Sequence, residues 1–272
     1  MTQPKGQTSQ GGVQGRLYGR VALITGASRG IGEAIARAFV REGCAVSLAA
    51  TSAGSLEEIA TSLNSDGGRA QPNSLDVTDR DACFAAVEKT VDDFGQLDIL
   101  VNAAGAHVLN RFTAHTVADF DRLMQVNLYG PMHLMQAALA VMEPRKCGKI
   151  VNIASTAGKW ASPNQSAYNT SKHALVGLTR CVALEVAASG IMVNAICPGF
   201  VDTKMMTDVV AAAAALNNIS VEQFTNVAMG RVPLRRPVTT AEVAALAIYL
   251  ASSESDAMTG QSILLDGGML FV

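Results

Sequence analysis

From Arg16 onward, short apolar runs alternate with longer segments whose apolar positions recur at helical spacing. The runs are VALIT at 21–25, AVSLAA at 45–50, one ending in LDV at 75–77, LDILVN at 97–102, KIVNIA at 149–154, IMVNAI at 191–196 and SILLD at 262–266. Helices are predicted from about Gly30 to Arg41, near 54–64, through 79–93, as one long stretch over 117–143, and near 166–188. The runs are almost continuously apolar, which is the pattern of strands covered on both faces. Repeated strand–helix units with right-handed crossovers predict a single α/β domain: a doubly wound, seven-stranded parallel sheet with helices on both faces. The segment 198–232 breaks this rhythm and is too long for an ordinary connection, so it is expected to be a lid with helices of its own. Residues 1–15 are polar and rich in glycine and glutamine. They read as a disordered tail ahead of a domain spanning 16–272.

Composition narrows the function classes. Of 272 residues, 49% are hydrophobic and 16% charged, and the formal net charge is −2. There is no basic field for nucleic acid. No apolar run is long enough to span a bilayer, and the N-terminus lacks the hydrophobic stretch of a signal peptide. Cys44, Cys83, Cys147, Cys181 and Cys197 are scattered without a CxxC pair. No metal site and no disulfide framework is expected, and a cytoplasmic location fits.

The first chemistry-bearing feature follows the first strand. Thr25-Gly26-Ala27-Ser28-Arg29-Gly30-Ile31-Gly32 places three glycines where a strand ends and a helix begins. Gly26 permits a tight turn, Gly30 lets backbone approach a ligand, and Gly32 lets the helix pack on the sheet. Free N–H groups and the positive helix end then face a pyrophosphate, as in a Rossmann domain. The same segment also reads Gly26-x-Ser28-x-Gly30, the elbow of a serine hydrolase. That rival needs a histidine from His107, His115, His133 or His173, none of which sits late in the chain. At the end of the second strand, where NAD enzymes place a carboxylate on the ribose, stand Ala50, Thr51 and Ser52. With no acid there to repel a 2′-phosphate, and Arg29 as a counter-charge, the expected cofactor is NADP(H), with NAD(H) as the alternative.

Tyr168 and Lys172 are four residues apart and share a helix face. A neighbouring ammonium is expected to lower the phenol pKa and make an acid/base device. Ser155 ends the fifth strand run, on the sheet edge where ligands bind, and its hydroxyl can bond a substrate oxygen.

Together these residues resemble the short-chain dehydrogenase/reductase family over essentially 19–268. Thr25-Gly26-x-x-x-Gly30-x-Gly32 is similar to the family's cofactor turn, and Asn102-Ala103-Ala104-Gly105 to its NNAG segment, with Ala103 in place of asparagine. Asn127, Ser155, Tyr168 and Lys172 match its catalytic tetrad. Pro198-Gly199 and Val201-Asp202-Thr203 resemble the segment beside the nicotinamide carboxamide. The resemblance implies that Tyr168 exchanges the proton and Ser155 polarises the carbonyl. Lys172 would hold the ribose, and Asn127 a water leading from Lys172 to solvent. It places Ser28 and Ile31 with the glycine turn, Asp76 and Val77 at the adenine, and Asn102 to Gly105 beside the adenosine ribose. It also implies a homotetramer built on the helices around 117–143 and 166–188.

The substrate is read as a medium-sized ketone or secondary alcohol, with a 3-oxoacyl thioester among the candidates. The expected pocket wall is Trp160, Phe200, Met205 and Met206, with His107 and Gln165 as polar neighbours. IVNIASTAGK at 150–159 and CPGFVDT at 197–203 are similar to polyketide ketoreductases. Lys146 matches a basic position for carrier-protein docking in 3-oxoacyl-carrier-protein reductases. The second such position is Ser189, which leaves a carrier partner open. A non-catalytic NADP(H) sensor is the remaining rival, and it would require an eroded tetrad.

Overall fold

The computed structural model describes residues 14–272. The expected tail lies almost wholly outside them. Strands β1 (Val21–Thr25), β2 (Ala45–Ala50), β3 (Arg69–Ser74), β4 (Ile99–Asn102), β5 (Gly148–Ile153), β6 (Ile191–Pro198) and β7 (Ser262–Leu265) form one parallel sheet in the order β3-β2-β1-β4-β5-β6-β7. Helices α1 (Gly30–Arg41), α2 (Ala53–Ser65), α3 (Arg80–Phe94), α4 (Val117–Met124), α5 (Gly130–Met142), α6 (Ser166–Val186), α7 (Lys204–Leu216), α8 (Val221–Gly230) and α9 (Thr240–Ala251) complete it.

The strand pleat divides the core into two layers. Ala22 and Ile24 of β1 pack with Ile35, Phe39, Leu56 and Val243 of α1, α2 and α9. Leu23 between them points the other way, towards Val87, Leu134 and Ala183 of α3, α5 and α6. Because every strand runs in the same direction, all C-terminal ends gather at one edge. The winding reverses between β1 and β4, and that switch point opens a crevice for a ligand.

Three features differ from the sequence reading. The third strand is not the LDV run but the six residues before it, which include Arg69, Gln71, Pro72 and Asn73. It is an edge strand paired only to β2, where alternating polar residues and a proline are tolerated. Leu75 and Val77 are buried in the loop that follows. The long helix over 117–143 is broken by a π-turn at Gln125–Tyr129. Helix α9 had no counterpart in the pattern reading. Its sequence TAEVAALAIYLA is apolar nearly all round: it packs against α1, β5 and β6, and its exposed positions, Ala241 and Ala245, are alanines, so it shows no polar stripe. The lid does carry helices, α7 and α8. A lone bridge between Val201 and Val238 ties its two ends to the domain.

At the opposite edge, Asp98 holds the strand starts in register. Its buried carboxylate accepts from Val21 N at 2.9 Å, Gln96 Nε2 at 2.8 Å and Arg145 Nη2 at 2.7 Å. Replacing Asp98 by alanine leaves the Val21 N–H buried without a partner. The expected loss is about 2 kcal/mol of unfolding free energy in a denaturant titration, with cofactor affinity retained. An unchanged midpoint would remove this role from Asp98.

Candidate active site

A cleft of about 730 Å³ lies over the C-terminal strand ends. Its floor comes from the loops after β1, β2, β4, β5 and β6, and its outer wall from α7. Gly26, Ser28, Arg29, Gly30, Ile31, Gly32, Thr51, Asp76, Val77, Ala103, Gly105, Ser155, Tyr168, Lys172, Pro198, Gly199, Val201 and Thr203 all line it. So do His107, Phe200, Met205 and Met206.

The glycine turn is shaped as its spacing demands. Gly26 and Gly30 have φ of 64° and 62°, in the region that favours glycine. At Gly32 a Cβ would lie 2.4 Å from the Gly26 carbonyl oxygen, so only glycine lets α1 start this close to the strand. Thr25 clamps the neighbouring loop: its Oγ1 accepts from Ala103 N and Ala104 N, both at 3.0 Å. The turn, the free helix end and the surrounding loops fit a dinucleotide. Arg29 is exposed, lines the cleft, and makes no side-chain hydrogen bond or ion pair among the described residues. Ser28 has no hydrogen bond to a histidine among those residues.

At the other end of the cleft, α6 and the loop after β5 converge. Ser155 caps a short turn, Thr156–Gly158, and its Oγ accepts from Ala157 N at 3.1 Å. Gly158 makes the approach to α6 feasible, since a Cβ there would lie 2.7 Å from the Lys172 carbonyl oxygen. Lys172 is buried, and its Nζ donates to the Ile153 carbonyl at 2.9 Å. The same Nζ lies 5.9 Å from the centre of the Tyr168 ring. A Cβ on Gly105 would come within 3.9 Å of it.

The electrostatics differ from the sequence expectation. Burial pushes the Tyr168 phenol above its ordinary value, against the Ser155 hydroxyl, which lowers it. Burial also lowers Lys172 to about 8. Desolvation therefore outweighs the expected lowering of the phenol by the ammonium. At neutral pH Tyr168 stands protonated, the form that can donate to an oxygen. Lys172 stands predominantly charged.

Asn127 braces the site from behind. It sits fully buried in the π-turn. Its Oδ1 accepts from Ala106 N at 2.9 Å, and its Nδ2 donates to Ala106 O at 2.9 Å and Ser171 Oγ at 3.0 Å. The side-chain amide is spent on bracing the loop after β4. Ser171, which completes that brace, carried no signal in the sequence beyond its place beside Lys172.

Other expected residues fall outside the cleft lining. Asn102 is buried, with its Nδ2 donating to Asn152 Oδ1 at 2.8 Å, so its side chain faces the sheet. Trp160 does not line the cleft; its carbonyl accepts from Asn169 Nδ2 at 2.9 Å. Gln165 stands behind His107, with its Oε1 3.3 Å from His107 Nε2. Lys146 lies two residues before β5 begins, at the N-terminal edge of the sheet, with Gly190 beside it. It lines a separate cavity of about 230 Å³ there, which argues against Lys146 steering a carrier protein to the cleft of its own chain. Leu109, Val209 and Ala212 join the apolar wall without having been anticipated.

A family model described as Enoyl-(Acyl carrier protein) reductase matches residues 26–270. The chain is 41% identical over 255 residues to Oxidoreductase UcpA of Salmonella typhimurium, covering 93% of this chain and 95% of that one. The chain is a short-chain dehydrogenase/reductase. This short-chain dehydrogenase/reductase is also 36% identical to the 3-oxoacyl-(acyl-carrier-protein) reductase FabG of Thermotoga maritima, over 94% of its own length and 99% of the relative's. A crystal structure of NAD+-bound xylitol dehydrogenase superposes with a TM-score of 0.90 at 33% identity, covering 93% of this chain and 100% of the other. The chain is thus an oxidoreductase of a family that uses a nicotinamide cofactor, and the hydrolase reading of Ser28 falls. Among the described residues no helix is long and apolar enough to cross a membrane.

Alanine at Asn127 removes the brace and strands both polar groups of Ala106. The expected result is about 2 kcal/mol of lost stability and at least a tenfold fall in turnover per active site. Full turnover with only the stability loss would show that the brace does not position the site.

Proposed function

We propose that the protein transfers a hydride between NADP(H) and a ketone or secondary alcohol, with Tyr168 as the proton donor in reduction and acceptor in oxidation. The observation that carries this is the convergence of Ser155, Tyr168 and Lys172 at one end of a cleft whose other end is a glycine turn opening a helix. A bound nicotinamide supplies or takes up the hydride. Ser155 orients the substrate oxygen, and Tyr168, held protonated by burial, donates to it as charge develops there. Lys172 is the ribose-side cation, and its bond to Ile153 keeps α6 pressed on the sheet. Gly26, Ser28, Arg29, Gly30, Ile31 and Gly32 would hold the pyrophosphate end, Thr51, Asp76 and Val77 the adenosine, and Pro198, Gly199, Val201 and Thr203 the nicotinamide.

NADP(H) is favoured over NAD(H) because the β2 end carries Thr51 and Ser52 and no carboxylate, and Arg29 lines the same cleft as Thr51. The named NAD+-bound relative marks the alternative. The apolar wall of Leu109, Phe200, Met205 and Met206 supports a medium-sized substrate, since methionines adapt to varied shapes. Val117 and Leu184, exposed on α4 and α6, support self-association through that face. A sensor without catalysis is disfavoured by the four intact tetrad positions.

Replacing Tyr168 by phenylalanine is expected to lower ketone reduction by several orders of magnitude, on the scale of a lost general acid. Titration of NADPH against the same variant should still give binding; near-wild-type reduction would remove the tyrosine from the chemistry. Dissociation constants measured for both cofactors should favour NADPH. An Arg29→Ala variant should weaken NADPH roughly tenfold or more while leaving NADH nearly unchanged. Equal losses for the two cofactors would take Arg29 away from the 2′-phosphate.

A further inference from the structure

His107 packs its ring against that of Tyr168, and the proposed reaction gives it nothing to do. Its ring centre lies 4.5 Å from that of Tyr168, with the planes tilted by 55°. It lines the cleft, whose wall also carries the apolar Leu109, Phe200 and Met206. Its Nε2 meets Gln165 Oε1 at 3.3 Å, so Nε2 carries the proton and donates. Nδ1 is left as an acceptor, and no protein hydrogen bond reaches it among the described residues. The imidazole is neutral at pH 7: burial lowers its pKa most, and Lys172 adds to this against Gln165. A single fixed acceptor in an apolar wall is the usual means by which a pocket selects one polar group of its ligand.

Building on the tyrosine reading above, we infer that the His107–Gln165 pair selects substrates that carry a hydroxyl close to the reacting carbon, which donates to His107 Nδ1. Gln165 is a positioning residue that fixes which ring nitrogen accepts. The preferred substrate class is then a hydroxyketone or the corresponding diol or polyol. A 3-oxoacyl thioester has no hydroxyl to offer that acceptor, so it falls outside the class.

The test compares NADPH-dependent reduction of acetoin, its isomer with the hydroxyl one carbon further along, and butanone, which lacks it. The wild-type enzyme should favour one hydroxyketone over butanone by at least about tenfold in kcat/KM. His107→Leu should abolish that preference, bringing kcat/KM for the hydroxyketone down to that for butanone. His107→Asn, which returns an acceptor near the Nδ1 position, should restore part of it. Gln165→Leu should raise KM for the hydroxyketone with little change in kcat. Should His107→Leu lose butanone turnover as well, the asparagine and Gln165→Leu arms decide. Equal use of all three ketones by the wild type, or a preference that survives His107→Leu, overturns this inference alone. No reduction of any of them by the wild type overturns it together with the ketone reading.

Discussion

The bond from the Lys172 ammonium to the Ile153 carbonyl is the contact on which the site's geometry depends. It joins the second turn of α6 to the last residue of β5 inside the protein. Once it forms, Tyr168 one turn earlier on α6 and Ser155 two residues beyond Ile153 must face the same space. It also explains the small residues around it. Gly158 lets the chain after Ser155 lie against α6, and Gly105 leaves room beside the ammonium. A buried ammonium is costly unless hydrogen-bonded, so removal of either partner would loosen this whole corner.

The same burial decides the proton chemistry. A phenol and an ammonium are desolvated together, which raises one and lowers the other. The two proton affinities cross and separate, so at neutral pH the phenol keeps its proton and stands ready to donate it. Spacing on a helix shows that two groups share a face. It says nothing of the dielectric they meet, so the sequence predicted the pairing and misjudged the direction of the phenol's shift.

Much of the fold was legible because its elements are strongly patterned. Continuous apolar strands and amphipathic helices such as α1 announce a doubly wound sheet, and three glycines at the first turn announce its ligand edge. What escaped was set by tertiary context. Strand β3 is polar because it lies at an edge. Helix α9 has no polar stripe because its exposed positions, Ala241 and Ala245, are alanines. The π-turn exists where Asn127 is drawn to Ala106 and Ser171, partners distant in sequence. In the site, the cleft gathers nearly all the residues singled out by motif. Trp160, expected in the pocket wall, and Lys146, expected from a carrier-docking match, lie elsewhere, and Gln165 contacts His107.

The most direct measurement is a crystal structure with NADP+ and a substrate analogue bound. The account predicts the pyrophosphate on the N-terminus of α1, the 2′-phosphate against Arg29, and the analogue's oxygen within hydrogen-bond distance of both Tyr168 and Ser155. A dinucleotide bound away from Gly26–Gly32, or a Tyr168 hydroxyl turned from the nicotinamide, would contradict it.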